Sequence, residues 1–260
     1  MIELSVVLPA YNEDENIETL VNRWQKYQGM LSNDYGMALR IFVINDGSVD
    51  QTREVAERLE NSYSNLTLIN HLQNKGLGEA IKTGITHVLK NCPNSSHLCL
   101  MDCDNTQGPQ YILDMLDVQC KSGCDVIIAS RYQKGAQVIG VSRFRLFTSE
   151  GARYFFSMIL RVPSVRDYTC GFRLYTRQIL LQAFDRFGVN LIEERGFTCM
   201  AELLYKLYCC GAVFAEIPFE LRYNFKRGAS KMAVFKTAVN SFRLALRLRR
   251  IKKYSNGVPL

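Results

Sequence analysis

The first strand–helix–strand unit of the chain is residues 5–45, SVVLPAYNEDENIETLVNRWQKYQGMLSNDYGMALRIFVIN. Its apolar runs at 5–9 and 40–45 are typical of buried strands, and a proline closes the first run. The segment between them, 12–27, predicts a helix, because acidic side chains occupy its first turn, where the helix dipole favours negative charge. Two buried strands joined by a helix predict a βαβ unit.

The same alternation continues outward from this unit through the first half of the chain. It predicts strands at 66–70, 98–101 and 125–130, and helices at 51–63, 77–90 and 109–122. This pattern indicates an α/β, Rossmann-like fold with a mainly parallel sheet flanked by helices. Ligands of such sheets bind beyond the carboxyl ends of the strands, and the polar motifs of this chain fall at those ends.

The second half of the chain has a different character. It predicts helices at 144–162, 194–210 and 232–253, a loop at 163–169, and extended segments at 171–175 and 212–221. The first and last of these helices are amphipathic and rich in arginine, so their apolar faces would lie in a membrane interface or pack on the domain or a partner. From Arg222 onward the chain carries eleven basic residues and no acidic one, which suits an anionic lipid or a phosphorylated substrate as well as plain solvation.

Bulk composition narrows the class of protein. The 260 residues, 47% of them hydrophobic, suffice for one large domain, and no linker or repeat divides them. We expect no signal peptide and no transmembrane helix, since no apolar run approaches about 18 residues. The nine cysteines lack metal-site spacing and fit a reducing, cytoplasmic setting. Nucleic-acid binding is not expected, because the basic segment has no aromatic stacking platform.

Two aspartates, Asp102 and Asp104, follow the apolar run 98–101. If the strand continues through them, alternation directs both side chains to one face, where they would hold Mg²⁺ or Mn²⁺ and, through it, a diphosphate. The alternative is a simple turn, since aspartate commonly ends strands.

The motifs taken together, in this order along the chain, resemble glycosyltransferase family 2, whose fold is named GT-A. The later ones resemble its dolichol- or polyprenyl-phosphate mannosyltransferase branch. The resemblance spans about residues 4–232, and implies a catalytic domain at 1–231, with a nucleotide-sugar half (1–132) and an acceptor half (133–231), before a basic amphipathic helix and tail at 232–260. The motifs are PAYNE at 9–13, NDGSVD at 45–50, NKGLG at 74–78, DCD at 102–104, SRY at 130–132, DYTCGFR at 167–173 and RGASK at 227–231.

The resemblance implies roles for residues of the donor half. The nucleotide base and ribose would be held by Pro9, Tyr11, Glu13, Ile44 and Asp46. The cation would be held chiefly by Asp104, with Asp102 touching sugar or ribose, Cys103 contributing backbone, and Thr106 replacing a better ligand. The family usually has aspartate where this chain has Asn45, which leaves guanine or uracil open as the base. Asp46 to Ser48 would otherwise be only a turn, with Asp50 capping the next helix.

Basic residues at the end of the donor half and in the acceptor half are implied as phosphate ligands. These are Arg131, Arg145, Arg227 and Lys231, with Ser149 beside them, and we expect Arg131, Arg227 and Lys231 to act with the two aspartates in catalysis. Asp167 and Arg173 would orient the acceptor loop, or they would form a structural pair with each other; the sequence leaves both interpretations open. The three histidines, at 71, 87 and 97, are interpreted as bystanders.

The expected activity is inverting, metal-dependent transfer of a hexose from a nucleotide-diphosphate sugar to a polyprenyl or dolichyl phosphate. The resemblance favours mannose from GDP-mannose as the donor, with UDP-glucose next. A polyprenyl phosphate is favoured as the acceptor because a phosphate monoester is already anionic and needs no base. The alternatives are a saccharide hydroxyl acceptor, with Asp167 or Glu194 as base, and a non-catalytic nucleotide-sugar-binding subunit. We expect a peripheral position at the cytoplasmic face of a membrane; a membrane-anchoring partner or a homo-oligomer stays open.

Overall fold

The computed structural model describes residues 1–225, 234–251, 254–255 and 258–259. Its strands and helices alternate as the sequence predicts, and the α/β fold class is confirmed. The strands are β1 (Ile2–Ala10), β2 (Met37–Asn45), β3 (Leu66–Asn70), β4 (Ser95–Leu100), β5 (Val126–Ser130), β6 (Gln137–Ile139), β7 (Arg173–Thr176), β8 (Phe214–Pro218), β9 (Glu220–Arg222), β10 (Tyr254–Ser255) and β11 (Val258–Pro259). The helices are α1 (Asp14–Gln25), α2 (Gln28–Tyr35), α3 (Thr52–Ser62), α4 (Leu77–Asn91), α5 (Tyr111–Ser122), α6 (Arg143–Leu160), α7 (Arg177–Phe187), α8 (Cys199–Cys209) and α9 (Val234–Leu248).

Seven of the strands form one sheet in the order β3-β2-β1-β4-β7-β5-β8. All neighbours in it are parallel except β7, which runs antiparallel between β4 and β5. The sequence predicts an extended segment near β7 but not its place in the middle of the sheet. Of the short strands, β6 pairs with β9 and β10 with β11.

The core lies where helices cover the central strands. Leu4, Val6 and Leu8 of β1 are fully buried, as is Trp24 of α1. Over β1, α4 packs so closely that a Cβ added at Gly84 would stand 2.4 Å from Cγ1 of Val7. Helix packing and strand pairing fix the position of β1 along β2 and β4. They therefore also fix where the loops after these strands begin.

Several predicted boundaries differ from those observed. The helix predicted at 12–27 is α1, followed after a break by α2, whose mostly polar surface buries only Leu31 and so gives a weak periodic signal. No element is predicted at 177–187, where α7 lies, and the strand predicted at 212–221 is divided at Pro218 into β8 and β9. The last predicted helix, 232–253, is observed as α9, which ends at Leu248. None of the helices within the described ranges is long and apolar enough to cross a membrane.

Candidate active site

The loops that follow β1, β2 and β4 emerge side by side at one edge of the sheet. These strands are parallel neighbours, and Ala10 at the end of β1 lies opposite Asn45 at the end of β2, while Val7 lies opposite Leu100. The site expected at the carboxyl ends of the strands is therefore bordered by three paired neighbouring strands.

Hydrogen bonds join the first two of these loops into one unit. The Asn12 N–H donates to Oγ of Ser48 at 3.0 Å, and the Val49 N–H donates to Oδ1 of Asn12 at 2.9 Å. The Glu13 N–H donates to Oγ1 of Thr52 at 2.7 Å. Tyr11 and Glu13 are half-buried at this junction, where a nucleotide would reach them.

The remaining residues assigned to the donor base lie deeper. Pro9 and Ile44, which are paired across β1 and β2, are both buried. Asp46 is also buried, and its carboxylate accepts hydrogen bonds from within the protein, at 2.7 Å from Nδ1 of His71 and at 3.0 and 2.8 Å from the N–H groups of Lys75 and Gly76. Asp50 lies just before Gln51, the N-cap residue of α3, and its Oδ1 accepts from the Thr52 N–H at 3.0 Å, so it supports the start of α3 without being its cap residue.

The aspartate pair lies in the loop that begins after Leu100, not on the strand itself. Strand alternation therefore does not orient Asp102 and Asp104; their neighbours do. Oδ2 of Asp102 accepts from Nε2 of Gln107 at 2.8 Å, and Oδ1 of Asp104 accepts from Oγ1 of Thr106 at 2.6 Å. Both aspartates are partly exposed, whereas Cys103 and Thr106 are buried.

A glycine makes room for Asp102 from the opposite side. A Cβ at Gly171 would stand 2.6 Å from Oδ1 of Asp102, closer than real Cβ contacts come. The carboxylate is therefore held between the Gln107 amide and the backbone at Gly171.

The donor set of this loop suits a hard cation. Within the described ranges, no cluster of three or more histidine, cysteine or acidic side chains is placed to hold a metal. Two carboxylates with a threonine hydroxyl beside them provide the oxygen chemistry that Mg²⁺ or Mn²⁺ prefers, since such ions keep several water ligands. The residues present therefore fit the expected ion, with few protein ligands.

The aspartate loop is also tied to α1. Nδ2 of Asn105, a residue in the left-handed region at φ 58°, donates to the Asn16 carbonyl at 2.9 Å. Nδ2 of Asn16 in turn donates to Oε2 of Glu13 at 2.8 Å. The candidate metal loop and the candidate nucleotide loop are thus positioned by one network.

Arg131 forms a buried ion pair with Asp167. Nε and Nη2 donate to the two carboxylate oxygens at 2.8 and 2.6 Å, and Nη2 also donates to Oγ1 of Thr169 at 2.6 Å. Burial alone would raise the pKa of Asp167, but the charge and hydrogen bonds of Arg131 outweigh it and hold that pKa below its usual value. None of these bonds uses Nη1.

The structural pair suggested between Asp167 and Arg173 takes a different form, because Asp167 bonds to Arg131. Arg173 is fully buried and donates to the carbonyls of Met200 and Tyr168, at 2.9 and 2.8 Å. Arg173 therefore connects the segment around Tyr168 to the start of α8.

Beside Arg131, Tyr132 connects to α6. The hydroxyls of Tyr132 and Ser149 are 2.6 Å apart, and the guanidinium of Arg153 lies 5.1 Å from the Tyr132 ring centroid. Ser149 is therefore close to the Arg131 region, as a shared phosphate site requires. Arg145 lies on α6 with its side chain outside the described part, and Arg227 and Lys231 fall outside the described residues.

The glycines at the start of α4 serve contacts within the protein. In the structure, the Gly78 N–H donates to the Arg195 carbonyl at 3.1 Å, and a Cβ at Gly78 would stand 1.8 Å from the Glu194 carbonyl oxygen. The segment before α8 thus lies in the space that side chains at these glycine positions would need.

Comparison with known proteins agrees with this geometry. A profile described as glycosyl transferase family 2 matches residues 5–184. The chain belongs to glycosyltransferase family 2. Its enzyme class and the GT-A fold, both expected from the motifs, are confirmed.

Two curated relatives carry the names of the expected branch, which confirms the resemblance. The chain is 28% identical over 229 residues to a polyprenol monophosphomannose synthase of Mycolicibacterium smegmatis, covering 88% of this chain and 80% of that protein. It is 29% identical over 233 residues to a dolichol-phosphate mannosyltransferase of Pyrococcus furiosus, covering 89% of this chain but only 59% of that protein.

Solved structures support the fold. The glucosyl-3-phosphoglycerate synthase of Mycobacterium tuberculosis, in complex with Mn²⁺, uridine diphosphate and phosphoglyceric acid, matches at a TM-score of 0.65 with 18% identity, covering 100% of this chain and 82% of that one. A mycobacterial protein matches at 0.70 with 15% identity, over 96% and 75% of the two chains.

The sequence analysis did not identify three residues that position the side chains of the site. His71 is interpreted as a bystander but contacts Asp46. Gln107 is given no role from the sequence but holds Asp102, and Gly171 makes room for that carboxylate. The signals were present as polar or glycine residues within the motifs. Their partners lie at sequence distances that local patterns do not reveal.

Proposed function

We propose that this glycosyltransferase moves a hexose from a nucleotide-diphosphate sugar to a polyprenyl or dolichyl phosphate, with GDP-mannose as the preferred donor. The names of the two curated relatives support mannose as the sugar and a polyprenyl or dolichyl phosphate as the acceptor. GDP as the donor nucleotide rests on the resemblance of the motifs. The protein would act at the cytoplasmic face of a membrane, bound peripherally, alone or with an anchoring partner.

The state of the two candidate bases favours a phosphate acceptor over a saccharide hydroxyl. A hydroxyl nucleophile needs a base to take its proton, and a phosphate monoester does not. Asp167 is buried in its ion pair with Arg131, and Glu194 is bonded to Oγ1 of Thr198 at 2.7 Å and to Nη2 of Arg247 at 3.1 Å. Both carboxylates are thus engaged in structural contacts.

Donor and acceptor phosphates would meet between the aspartate loop and Arg131. Asp104 and Asp102 would hold Mg²⁺ or Mn²⁺, which supplies charge neutralisation for the departing diphosphate. Nη1 of Arg131 would bind phosphate, and Ser149 and Arg145 of α6 would bind the lipid phosphate from the neighbouring side. The acceptor oxygen would then displace the nucleotide in line at the anomeric carbon, with inversion.

Arg227 and Lys231 are proposed as further phosphate ligands. The Arg222 N–H at the end of β9 donates to the Thr106 carbonyl at 2.9 Å, so the chain leaves β9 beside the aspartate loop. Arg227 follows five residues later, which is within reach of that loop by chain length alone.

An exposed apolar surface on α6 and α9 supports the membrane proposal. On α6, Phe147, Tyr154 and Met158 are 76, 63 and 66% exposed, while Phe156 of the same helix is buried. On α9, Phe242 is 53% exposed, and its ring lies 6.1 Å from that of Phe155, so the two helices are neighbours. Apolar side chains of this kind bind a lipid interface when basic residues flank them.

The test is a transfer assay with defined donors. Purified protein with Mg²⁺ or Mn²⁺ receives GDP-mannose, UDP-glucose or UDP-N-acetylglucosamine, each with and without polyprenyl phosphate in detergent. We expect mannosyl lipid from GDP-mannose alone. Lipid product from a UDP-sugar would change the donor, and product only with a saccharide acceptor would overturn the acceptor.

A matched pair of variants tests the proposed metal loop. Asp104→Ala should abolish transfer with the fold retained, while Asp117→Ala, an exposed change on α5, should leave transfer intact. Retained turnover in Asp104→Ala would contradict the role given to Asp104.

A further inference from the structure

His71 lies at the base of the candidate donor site and bonds directly to Asp46. Its Nδ1 stands 2.7 Å from Oδ1 of Asp46, and both side chains are almost fully buried, with 5 and 3% exposure. Because a carboxylate only accepts hydrogen bonds, Nδ1 carries the proton of this bond.

The other nitrogen of the ring is also engaged. Nε2 lies 2.9 Å from Oγ1 of Thr83 on α4. With the proton on Nδ1, a neutral ring accepts this bond from the hydroxyl of Thr83. His71 therefore connects the carboxylate after β2 to the helix that covers β1, and both connections fix the plane of its ring.

Asp46 in turn holds the start of α4. Its two oxygens accept the N–H groups of Lys75 and Gly76, at 3.0 and 2.8 Å. These two donors lie just before the first turn of α4, where no intrahelical carbonyl can accept them. Without an ordered carboxylate, both N–H groups would need solvent.

The segment held in this way, residues 71–76, rests against the loop that carries Asp46. A Cβ at Gly47 would stand 2.3 Å from the carbonyl carbon of Gln73, and Gly47 has a φ of 65°. The His71 N–H also donates to the Asn45 carbonyl at 2.9 Å. The two loops are therefore held together by the Asp46 bonds and by these backbone contacts.

We propose that His71 is a positioning residue for the donor site, which orients the Asp46 carboxylate and through it holds segment 71–76 against the loop after β2. The inference rests on the proposed function only for its effect on donor binding. His71 acts through Asp46, because its two ring nitrogens are engaged by Asp46 and Thr83.

Two isosteric changes separate the two bonds of the ring. The side-chain amide of asparagine places its nitrogen near Nδ1, so His71→Asn keeps the bond to Asp46. Glutamine places its nitrogen near Nε2, so His71→Gln keeps only the bond to Thr83. His71→Leu removes both, and His87→Asn, on α4 with its ring beside that of Phe42, is the control.

Binding of GDP with Mn²⁺, and of UDP with Mn²⁺, is measured by titration calorimetry, together with amide hydrogen exchange of peptides that span 71–76. We expect His71→Leu and His71→Gln to weaken nucleotide binding by about tenfold, the worth of one charge-assisted bond. They should also speed exchange of 71–76 and raise KM for the donor more than they lower kcat. His71→Asn and His87→Asn should match the unaltered protein in all three measurements.

Unchanged exchange of 71–76 in a folded His71→Gln or His71→Leu protein would overturn the proposal, as would rescue by glutamine rather than asparagine. Exchange does not depend on nucleotide binding. If the unaltered protein bound neither nucleotide, the proposed function would fail, while the exchange pattern would still decide whether His71 holds the segment.

Discussion

At the scale of single residues, Gly171 determines the space available to Asp102. Its backbone is not in the left-handed region, so alanine is allowed there in conformation, but the added Cβ would stand 2.6 Å from Oδ1 of Asp102. We expect Gly171→Ala to displace the carboxylate and weaken Mn²⁺ binding by about tenfold or more, as losses around metal ligands do. The measurement is calorimetric titration with Mn²⁺. Gly196→Ala, where no atom lies within 4 Å of the added Cβ, is the control, and equal affinities in the two variants would contradict the role of Gly171.

The ion pair of Arg131 and Asp167 predicts a specific pH dependence. The depressed pKa of Asp167 stabilises the fold fully above the unfolded value of about 4, and this stabilisation is lost as pH falls through the lower folded value. Arg131→Met leaves the buried carboxylate without its main partner and should lower the free energy of unfolding at pH 7 by about 3 kcal/mol. The difference from the unaltered protein should shrink below pH 4. Urea unfolding at several pH values measures it, and a difference that is constant with pH would be contrary to this account.

At the scale of elements, the start of α4 depends on a close approach by the segment before α8. A Cβ at Gly78 would stand 1.8 Å from the Glu194 carbonyl oxygen. Gly78→Ala should therefore lower the free energy of unfolding by about 1–3 kcal/mol, a cost typical of overpacking. Gly29→Ala in α2, where nothing lies within 4 Å, should instead stabilise the fold by about 0.5–1 kcal/mol. Thermal unfolding followed by circular dichroism compares the two; a similar shift in both would reject the packing argument.

At the scale of the whole molecule, a buried carboxylate joins α9 to α8 and to the segment that precedes α8. Glu202 of α8 is fully buried and accepts from Nζ of Lys206 at 2.8 Å, from Nη2 of Arg247 at 2.9 Å, and from the N–H groups of Glu193 and Glu194 at 2.9 and 2.8 Å. One side chain thus connects α8, α9 and the segment that lies against α4. The apolar surface proposed for the membrane is held in place by the same contact.

Replacing Arg247 should lower the stability of the protein, because its side chain connects α9 to Glu202 of α8. Arg247→Met leaves Lys206 as the one cation on Glu202 among the ion pairs described, and should lower the free energy of unfolding by about 1–3 kcal/mol. Arg243→Met, one turn earlier on α9 and exposed, should change it by less than about 0.5 kcal/mol. The single tryptophan, Trp24, is fully buried and reports unfolding by fluorescence in urea. Equal midpoints for the two variants would rule out Arg247 as the connection.

Local sequence patterns were sufficient for the alternation of strands and helices, because periodicity of apolar side chains is set by the backbone geometry of each element. They also placed the polar motifs at the ends of β1, β2 and β4, and the ordered set of motifs identified the family. They did not predict α2, whose surface is nearly all polar, or α7, for which no element was predicted.

Tertiary structure alone decided which groups face a ligand and which face the protein. The sequence presents Asp46, Asp102 and Arg131 at the ends of strands and Asp167 in a loop, and it does not indicate which of them pair within the protein. The fold turns Asp46 towards His71 and pairs Arg131 with Asp167, 36 residues away, while Asp102 and Asp104 stay partly open. It also inserts β7 antiparallel between β4 and β5. Such partners are chosen by long-range packing and by the need to satisfy every buried charge, and neither is encoded within the length of one motif.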